Sequence, residues 1–263
     1  IDFSQFGFFL ANGMLTLFVL PLIYFYEKIF SLVSDVSLLE LSDTNSALLK
    51  ELSDKAPGTF HHSLQVANLS EACANEIGAN VLLTRVGALY HDIGKITKPN
   101  FFSENQKGTF SPHDELNPEE SVKIIISHVI DGISLGKKNK IPDRVIDFIR
   151  THHGTSKVYY FYKKQLELNP QSDIKKFFYP GPKPFSKETS IVMMADSIEA
   201  ASKSLKEPSF EILAEFVHKI VNQQMDEGQF LNSNITFSEI ETVKKVLIKK
   251  LVNIYQLRIE YPT

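Results

Sequence analysis

Tryptophan is absent and cysteine occurs once, at Cys73, in a chain of 263 residues. A single thiol excludes a disulfide framework and any cysteine-built zinc site. Charge of one sign is not in excess either, since 28 lysines and arginines stand against 31 aspartates and glutamates. Without a basic stripe the chain lacks the electrostatic footprint of a nucleic-acid binder, and no nucleic-acid polymer is expected as a partner. Internal repeats and low-complexity tracts are missing. So is any period-2 alternation bounded by hairpin signals, which argues against a β domain. What remains, 43% hydrophobic and 22% charged, is the composition of a folded, core-forming protein. The chain starts at Ile1 and is expected to be a piece of a longer one.

The first 30 residues differ from the rest. No charge occurs from Phe3 to Tyr26, a length that suffices to cross a hydrocarbon core of about 30 Å as a helix. Tyr24, Tyr26 and Lys28 stand where an interfacial belt belongs, and Pro21 is tolerated in membrane helices. Residues 1–30 are therefore expected to form a transmembrane helix, residues 31–55 a connector with a helical patch near Ala47–Leu52, and residues 56–263 an all-α domain. Within it, Leu64, Val66, Ala67, Leu69, Cys73 and Ile77 share one face of a helix closed by Gly78. Asn80 caps a second helix that runs to Gly94, and Asn117-Pro118 starts a third. Further helices are predicted from Pro142 to Gly154, over 157–168, 187–205 and 209–227, and from Ser238 to before Pro262. Residues 96–117 and 169–187 read as irregular.

Chemistry concentrates in histidines and aspartates on these apolar helices. His62, His91, Asp92, His128, His152, His153 and Asp196 all sit in or at the ends of predicted helices, where an unpartnered polar group is costly. Asp196, within Ile191-Val-Met-Met-Ala-Asp-Ser-Ile-Glu-Ala-Ala201, demands a cation, and so does the set as a whole. Imidazole and carboxylate together suit divalent first-row ions. Neighbours on a helix point about 100° apart, so one member of His61-His62 and one of His152-His153 faces the ion while the other has a separate role. Asp92, with two oxygens, is able to bridge two ions, which is the arrangement of two-metal phosphoryl chemistry.

These residues resemble the HD-domain metal phosphohydrolases. The resemblance rests on His62, on His91-Asp92-Ile-Gly-Lys95, on His128, on Thr151-His-His-Gly-Thr155 and on Asp196. Ala56-Pro-Gly-Thr-Phe-His-His-Ser63, Ala88-Leu-Tyr-His-Asp-Ile-Gly-Lys95, Tyr179-Pro-Gly-Pro-Lys-Pro184 and Arg258-Ile-Glu-Tyr-Pro262 narrow it. They are similar to the HD domain of the bacterial seven-transmembrane HD receptors, the PgpH-type cyclic di-AMP phosphodiesterases. The resemblance implies an HD helical bundle behind the last membrane helix. It implies an inner-membrane protein whose HD domain faces the cytosol. It also implies two divalent ions, iron or manganese. One would be held by His62, His91, Asp92 and Asp196, the other by Asp92, His128 and His152, with His153 a ligand or a phosphate contact. His62 rather than His61 is chosen because the family's ligand directly precedes the serine matching Ser63.

The implied reaction opens cyclic di-AMP to the linear dinucleotide pApA through a hydroxide shared by the two ions. Asp92, Lys95 and His153 are the catalytic candidates, with Lys95 meeting phosphate charge. Lys95, Tyr159 and Tyr160 are the substrate-binding candidates, the aromatics by stacking on adenine. His113 and His218 read as surface residues. The Gly-Tyr-Pro motif of the cyclic di-GMP enzymes is replaced here by Gly154-Thr-Ser. Alternatives are an HD hydrolase of cyclic di-GMP, guanosine tetraphosphate or nucleoside phosphates, and a membrane nucleotide sensor without activity. The intact His91-Asp92 pair argues against the sensor.

Overall fold

The computed structural model describes residues 3–30, 32–106, 108, 110–206 and 208–255, with the side chains of Phe3 and Leu20 excepted. The Arg258–Pro262 phrase lies outside the described residues. Helices are the only regular elements among them, as expected, and Lys157 and Phe178 form one isolated antiparallel bridge.

The N-terminal segment is not one helix but two, α1 (Phe3–Leu17) and α2 (Val19–Phe30). Pro21 has no N–H to donate, and its ring crowds the carbonyl four residues back, at Leu17, where α1 stops. No single described helix is long and apolar enough to cross a membrane. Ser4–Leu17 and Pro21–Phe30 meet that test together, bent by 43°. Their side chains, Phe6, Phe8, Phe9, Leu10 and Tyr24 among them, are exposed.

The stretch expected as a connector forms α3 (Asp35–Ser42) and α4 (Ala47–Lys55). Glu27, near the end of α2, accepts from the Ser34 N–H (2.6 Å) and the Ser37 hydroxyl (3.0 Å) at the start of α3. Leu38, Leu48, Leu49 and Leu52 are buried in the same core as the later helices. A patch read as a linker is thus part of the packed body.

That body continues with α5 (Pro57–Glu76), α6 (Val81–Tyr90), α7 (Pro118–Lys138), α8 (Asp143–Thr151), α9 (Tyr159–Leu168), α10 (Lys187–Ser202), α11 (Phe210–Asp226) and α12 (Phe237–Ile254). Its helix starts obey the sequence signals. The Asn80 side chain accepts from the Leu83 N–H at 2.9 Å, and Asn117 and Glu120 cap each other reciprocally at the start of α7. Each such cap contributes about 1 kcal/mol. One apolar core joins Val66 and Leu69 of α5, Val86 and Leu89 of α6, Phe148 and Ile149 of α8 and Val192 and Met194 of α10 to Val217 and Leu247 of α11 and α12. A smaller cluster of Val122, Phe161 and Phe177 ties α9 to α7.

Two helix ends position the histidines and aspartates. Helix α6 stops at Tyr90 rather than at Gly94, and Ile93–Thr97 turn into a tighter 3₁₀ coil. The coil lies against α7 so closely that a Cβ on Gly94 would stand 1.8 Å from the His128 carbonyl oxygen. Gly94 is a packing point between two backbones. At the end of α8, Gly154 takes φ +50°, a left-handed residue that stops the helix just after His152-His153. The loop 96–117 contains further single 3₁₀ turns at Pro99–Phe101, Ser103–Asn105 and Pro112–Glu115.

Gly94→Ala should lower the free energy of unfolding by about 1–3 kcal/mol, the usual cost of overpacking. Urea denaturation followed by circular dichroism measures it, and a variant as stable as the parent would contradict the close approach.

Candidate metal centre

Four helices and the turn after a fifth deliver seven side chains to one place. His62 comes from the second turn of α5, His91 and Asp92 from the end of α6, and His128 from the middle of α7. His152 and His153 come directly after α8, and Asp196 lies in α10. All but His153 are buried.

Asp92 stands at the middle, with its two oxygens facing two different groups. Oδ2 lies 3.3 Å from His91 Nε2 and 3.7 Å from His62 Nε2. Oδ1 lies 3.4 Å from His128 Nε2 and 3.6 Å from His152 Nε2. Asp196 completes the first group, its Oδ1 being 2.9 Å from His62 Nε2 and 3.6 Å from His91 Nε2. His153 Nδ1 is 4.0 Å from the other Asp196 oxygen, and its ring joins those of His128 and His152. Three triads within these seven residues bring one donor atom each within 4.8 Å of one another.

The imidazoles are oriented by their own helices. Nδ1–H of His91, His128 and His152 donates three residues back, to the carbonyls of Ala88 (2.6 Å), Ile125 (2.5 Å) and Ile149 (2.8 Å). A proton on Nδ1 leaves Nε2 as the lone-pair nitrogen, and each Nε2 points inward. His62 is turned by a carboxylate instead, its Nδ1 bonding to Glu199 Oε2.

This arrangement requires positive charge. His128 Nε2 and His152 Nε2 face each other at 3.2 Å, two lone pairs unless something cationic lies between them. His91 Nε2 and Asp92 Oδ1 are buried and have no hydrogen-bond partner among the described residues. Burial opposes protonation of His91, but Asp92 and Asp196 outweigh it and raise its pKa to about 10. His62 is likewise raised against burial by Asp196 and Glu199. Burial lowers His128 to about 3, despite Asp92. Burial also disfavours charge on Asp92 and Asp196. Lys95 and the histidines overcome this for Asp92, and His62 and His91 for Asp196, holding both far below the usual carboxylate range. Protons thus satisfy the carboxylates where divalent cations would, and the donor set fits two such ions.

Other expected residues stand elsewhere. Lys95 Nζ, at the rim, is bound to Asp92 Oδ2 (2.7 Å) and to Glu104 (2.8 Å), which also accepts from the Thr59 hydroxyl (3.0 Å). Tyr159 and Tyr160 are exposed on α9. Tyr179 stacks on His153 instead, with ring centroids 4.1 Å apart. His61 is exposed and His218 half-buried, whereas His113, expected at the surface, is buried. Its Nε2 donates to the Phe101 carbonyl (2.9 Å) and its ring packs on Phe101 and Phe161, contacts that its polar sequence neighbours do not reveal. Sequence reasoning missed Glu199, Glu104 and Tyr179. The one available signal was spacing, since Glu199 lies three residues after Asp196 and shares its helix face.

Known proteins resemble this chain in sequence and fold. A profile described as "HD domain" matches residues 59–201. A cyclic-di-AMP phosphodiesterase PgpH of Bacillus subtilis is 44% identical over 252 residues, which is 96% of this chain and 35% of that protein. The Listeria monocytogenes protein of the same name is 46% identical over 93% of this chain and 34% of its own length. The chain therefore spans about a third of the curated relatives it matches. A crystal structure of the L. monocytogenes phosphodiesterase PgpH HD domain in complex with cyclic-di-AMP superposes with a TM-score of 0.79 at 46% identity, covering 81% of this chain and all of that one.

Glu199→Gln should weaken divalent-ion binding by about 10–100-fold, the usual effect of losing a carboxylate behind a metal-bound imidazole. Competition against a chromogenic chelator measures it. Unchanged affinity would contradict the orienting role of Glu199.

Proposed function

The chain belongs to the HD-domain family, and from that premise we propose that it is a metal-dependent phosphodiesterase opening cyclic di-AMP to linear pApA. The observation that carries the reading is the position of Asp92, one oxygen toward His62 and His91 and the other toward His128 and His152. Divalent-ion binding goes with the HD domain. His62, His91, Asp92 and Asp196 would hold one ion, and Asp92, His128 and His152 the other, with His153 beside them. Iron or manganese suits this thiolate-free set of imidazoles and carboxylates. Bound there, the ions supply an acidified water as nucleophile and neutralise phosphate oxygens.

The chain's own groups do the rest. Asp92 fixes the spacing of the two halves of the site. Lys95, held by Glu104 at the edge of the cluster, places an ammonium where phosphate charge develops. Though a quarter of its side chain is exposed, crowding by the cluster desolvates His153, and His152 and His128 add to this, holding it well below the ordinary imidazole range, so it is neutral. One phosphorus–oxygen bond forms to water and the bond to the 3′ oxygen breaks. That oxygen leaves as a hydroxyl and the product keeps a 5′-phosphate. The exposed apolar pair α1 and α2 attaches the chain to the inner membrane with the helical body on the cytosolic side. Lys28 at its end fits that orientation.

The test is incubation with cyclic di-AMP and Mn²⁺ or Fe²⁺, with products resolved by ion-exchange chromatography. The parent should yield pApA, and Asp92→Ala should lose about a hundredfold or more in rate. Intact substrate across several metals would contradict the reading. Asp196→Asn should lose bound metal together with activity, and a metal-replete, fully active variant would remove Asp196 from the ligand set.

A further inference from the structure

One imidazole of the cluster is not anchored like the others. Nδ1 of His91, His128 and His152 is tied to a backbone carbonyl, and that of His62 to Glu199. The His153 ring makes no hydrogen bond among the described residues, its Nδ1 standing 4.0 Å from Asp196 Oδ2. Outside the cluster, the ring that faces it is Tyr179, with centroids 4.1 Å apart and planes 28° from parallel. The orientation of His153 therefore depends on what holds Tyr179 and the turn 153–156.

Ser156 links the two. Its N–H donates to the His153 carbonyl (3.0 Å), and its carbonyl accepts from the Tyr179 N–H (2.8 Å). Tyr179 opens the Tyr179-Pro-Gly-Pro-Lys-Pro184 phrase, which has no place in the ligand set. Further along that phrase, the Lys183 ammonium donates to the Gly228 carbonyl (2.9 Å) and, at longer range, to the Glu227 carbonyl (3.4 Å). Glu227 closes the C-terminal end of α11, where the last carbonyls and the helix dipole favour a cation.

Gln229, the next residue, returns to the turn. Its buried side chain accepts at Oε1 from the Thr155 N–H (3.1 Å) and the Thr155 hydroxyl (3.3 Å). A Cβ on Gly154 would collide with that same oxygen, so the carboxamide fills the space that the glycine leaves. The contacts form a closed circuit. From the turn they run through Tyr179 and Lys183 to the end of α11, and through Gln229 back to the turn. Neither Lys183 nor Gln229 makes a hydrogen bond or ion pair to the seven residues of the cluster.

We propose that Lys183 and Gln229 are positioning residues for His153, joining the Tyr179 strap and the turn 153–156 into one brace. The brace fixes the orientation of the one imidazole that no hydrogen bond holds. Its consequence for rate rests on the phosphodiesterase reading, while the brace itself does not.

Proton NMR of the Zn²⁺-loaded protein, whose ion is diamagnetic, tests the brace without turnover. The His153 Cε1–H signal is identified by its loss in His153→Ala, and it carries the ring-current shift of Tyr179. Lys183→Met keeps the aliphatic stem and removes the ammonium. It should move that signal while those of His62 and His91 stay in place. Gln229→Met should move it too, and Lys183→Arg should leave it near the parent position. With cyclic di-AMP and Mn²⁺, Lys183→Met should lower kcat by about ten- to a hundredfold, the effect of slightly misplacing a group at a reacting centre. Once His153 is already alanine, the same substitution should cost nothing further. A His153 signal that stays put, or that moves together with those of His62 and His91, overturns the proposal, and so does an equal loss of rate with and without His153. A parent that leaves cyclic di-AMP whole would instead remove the phosphodiesterase reading and leave the His153 signal to decide the brace.

Discussion

A carboxylate with both oxygens out of water stays charged only where positive partners surround it, and Asp92 is built into such a place. Lys95 reaches one oxygen, two imidazoles face that same oxygen, and two more face the other. Removing a partner from a buried charge costs far more than losing one at the surface. The helices that supply those partners are thereby held to one relative arrangement. Asp92, Asp196, Glu199 and Glu104 bring four negative charges, and Lys95 and Lys203 return two. Two divalent ions would turn that deficit into a net positive site, which suits an anionic phosphodiester.

Geometry of this quality comes from backbone more than from side chains. Three imidazoles are locked by carbonyls three residues earlier in the chain, so ring orientation is fixed once the helix forms. Gly94 lets the turn after the dyad lie on the backbone of α7, which sets His91-Asp92 against His128. The turn Ser103–Asn105 is fastened in turn to the start of α5. Asn105 Oδ1 accepts from the Thr59 N–H (3.1 Å), and a Cβ on Gly58 would meet the Glu104 carbonyl oxygen at 1.8 Å. The same fastening presents Glu104 to Lys95.

Much of this was legible in the residues. Asn80 and Asn117 announced their helices, the apolar periodicity of α5 and α7 announced the core, and polar groups on apolar helix faces announced the cluster. What escaped has physical causes. Leu38 and Leu49 are too few and too widely spaced to mark 31–55 as core, because their burial depends on packing against the following helices, α3 on α6 and α4 on α5. Hydropathy alone counts Phe3–Tyr26 as one span, whereas the missing N–H and the ring of Pro21 break it. Glu104 and His113 act through contacts that only tertiary structure makes, and no local pattern precedes them, whereas Tyr179 stands in the Tyr179–Pro184 phrase, which does not reveal its stacking on His153.

The central claim is that Asp92 joins two cation sites. Anomalous diffraction from crystals of the manganese-loaded protein tests it most directly. Two anomalous peaks per chain are predicted, one against His62, His91 and Asp196, the other against His128 and His152, with one Asp92 oxygen on each. A single peak, or two peaks that Asp92 does not connect, would contradict it.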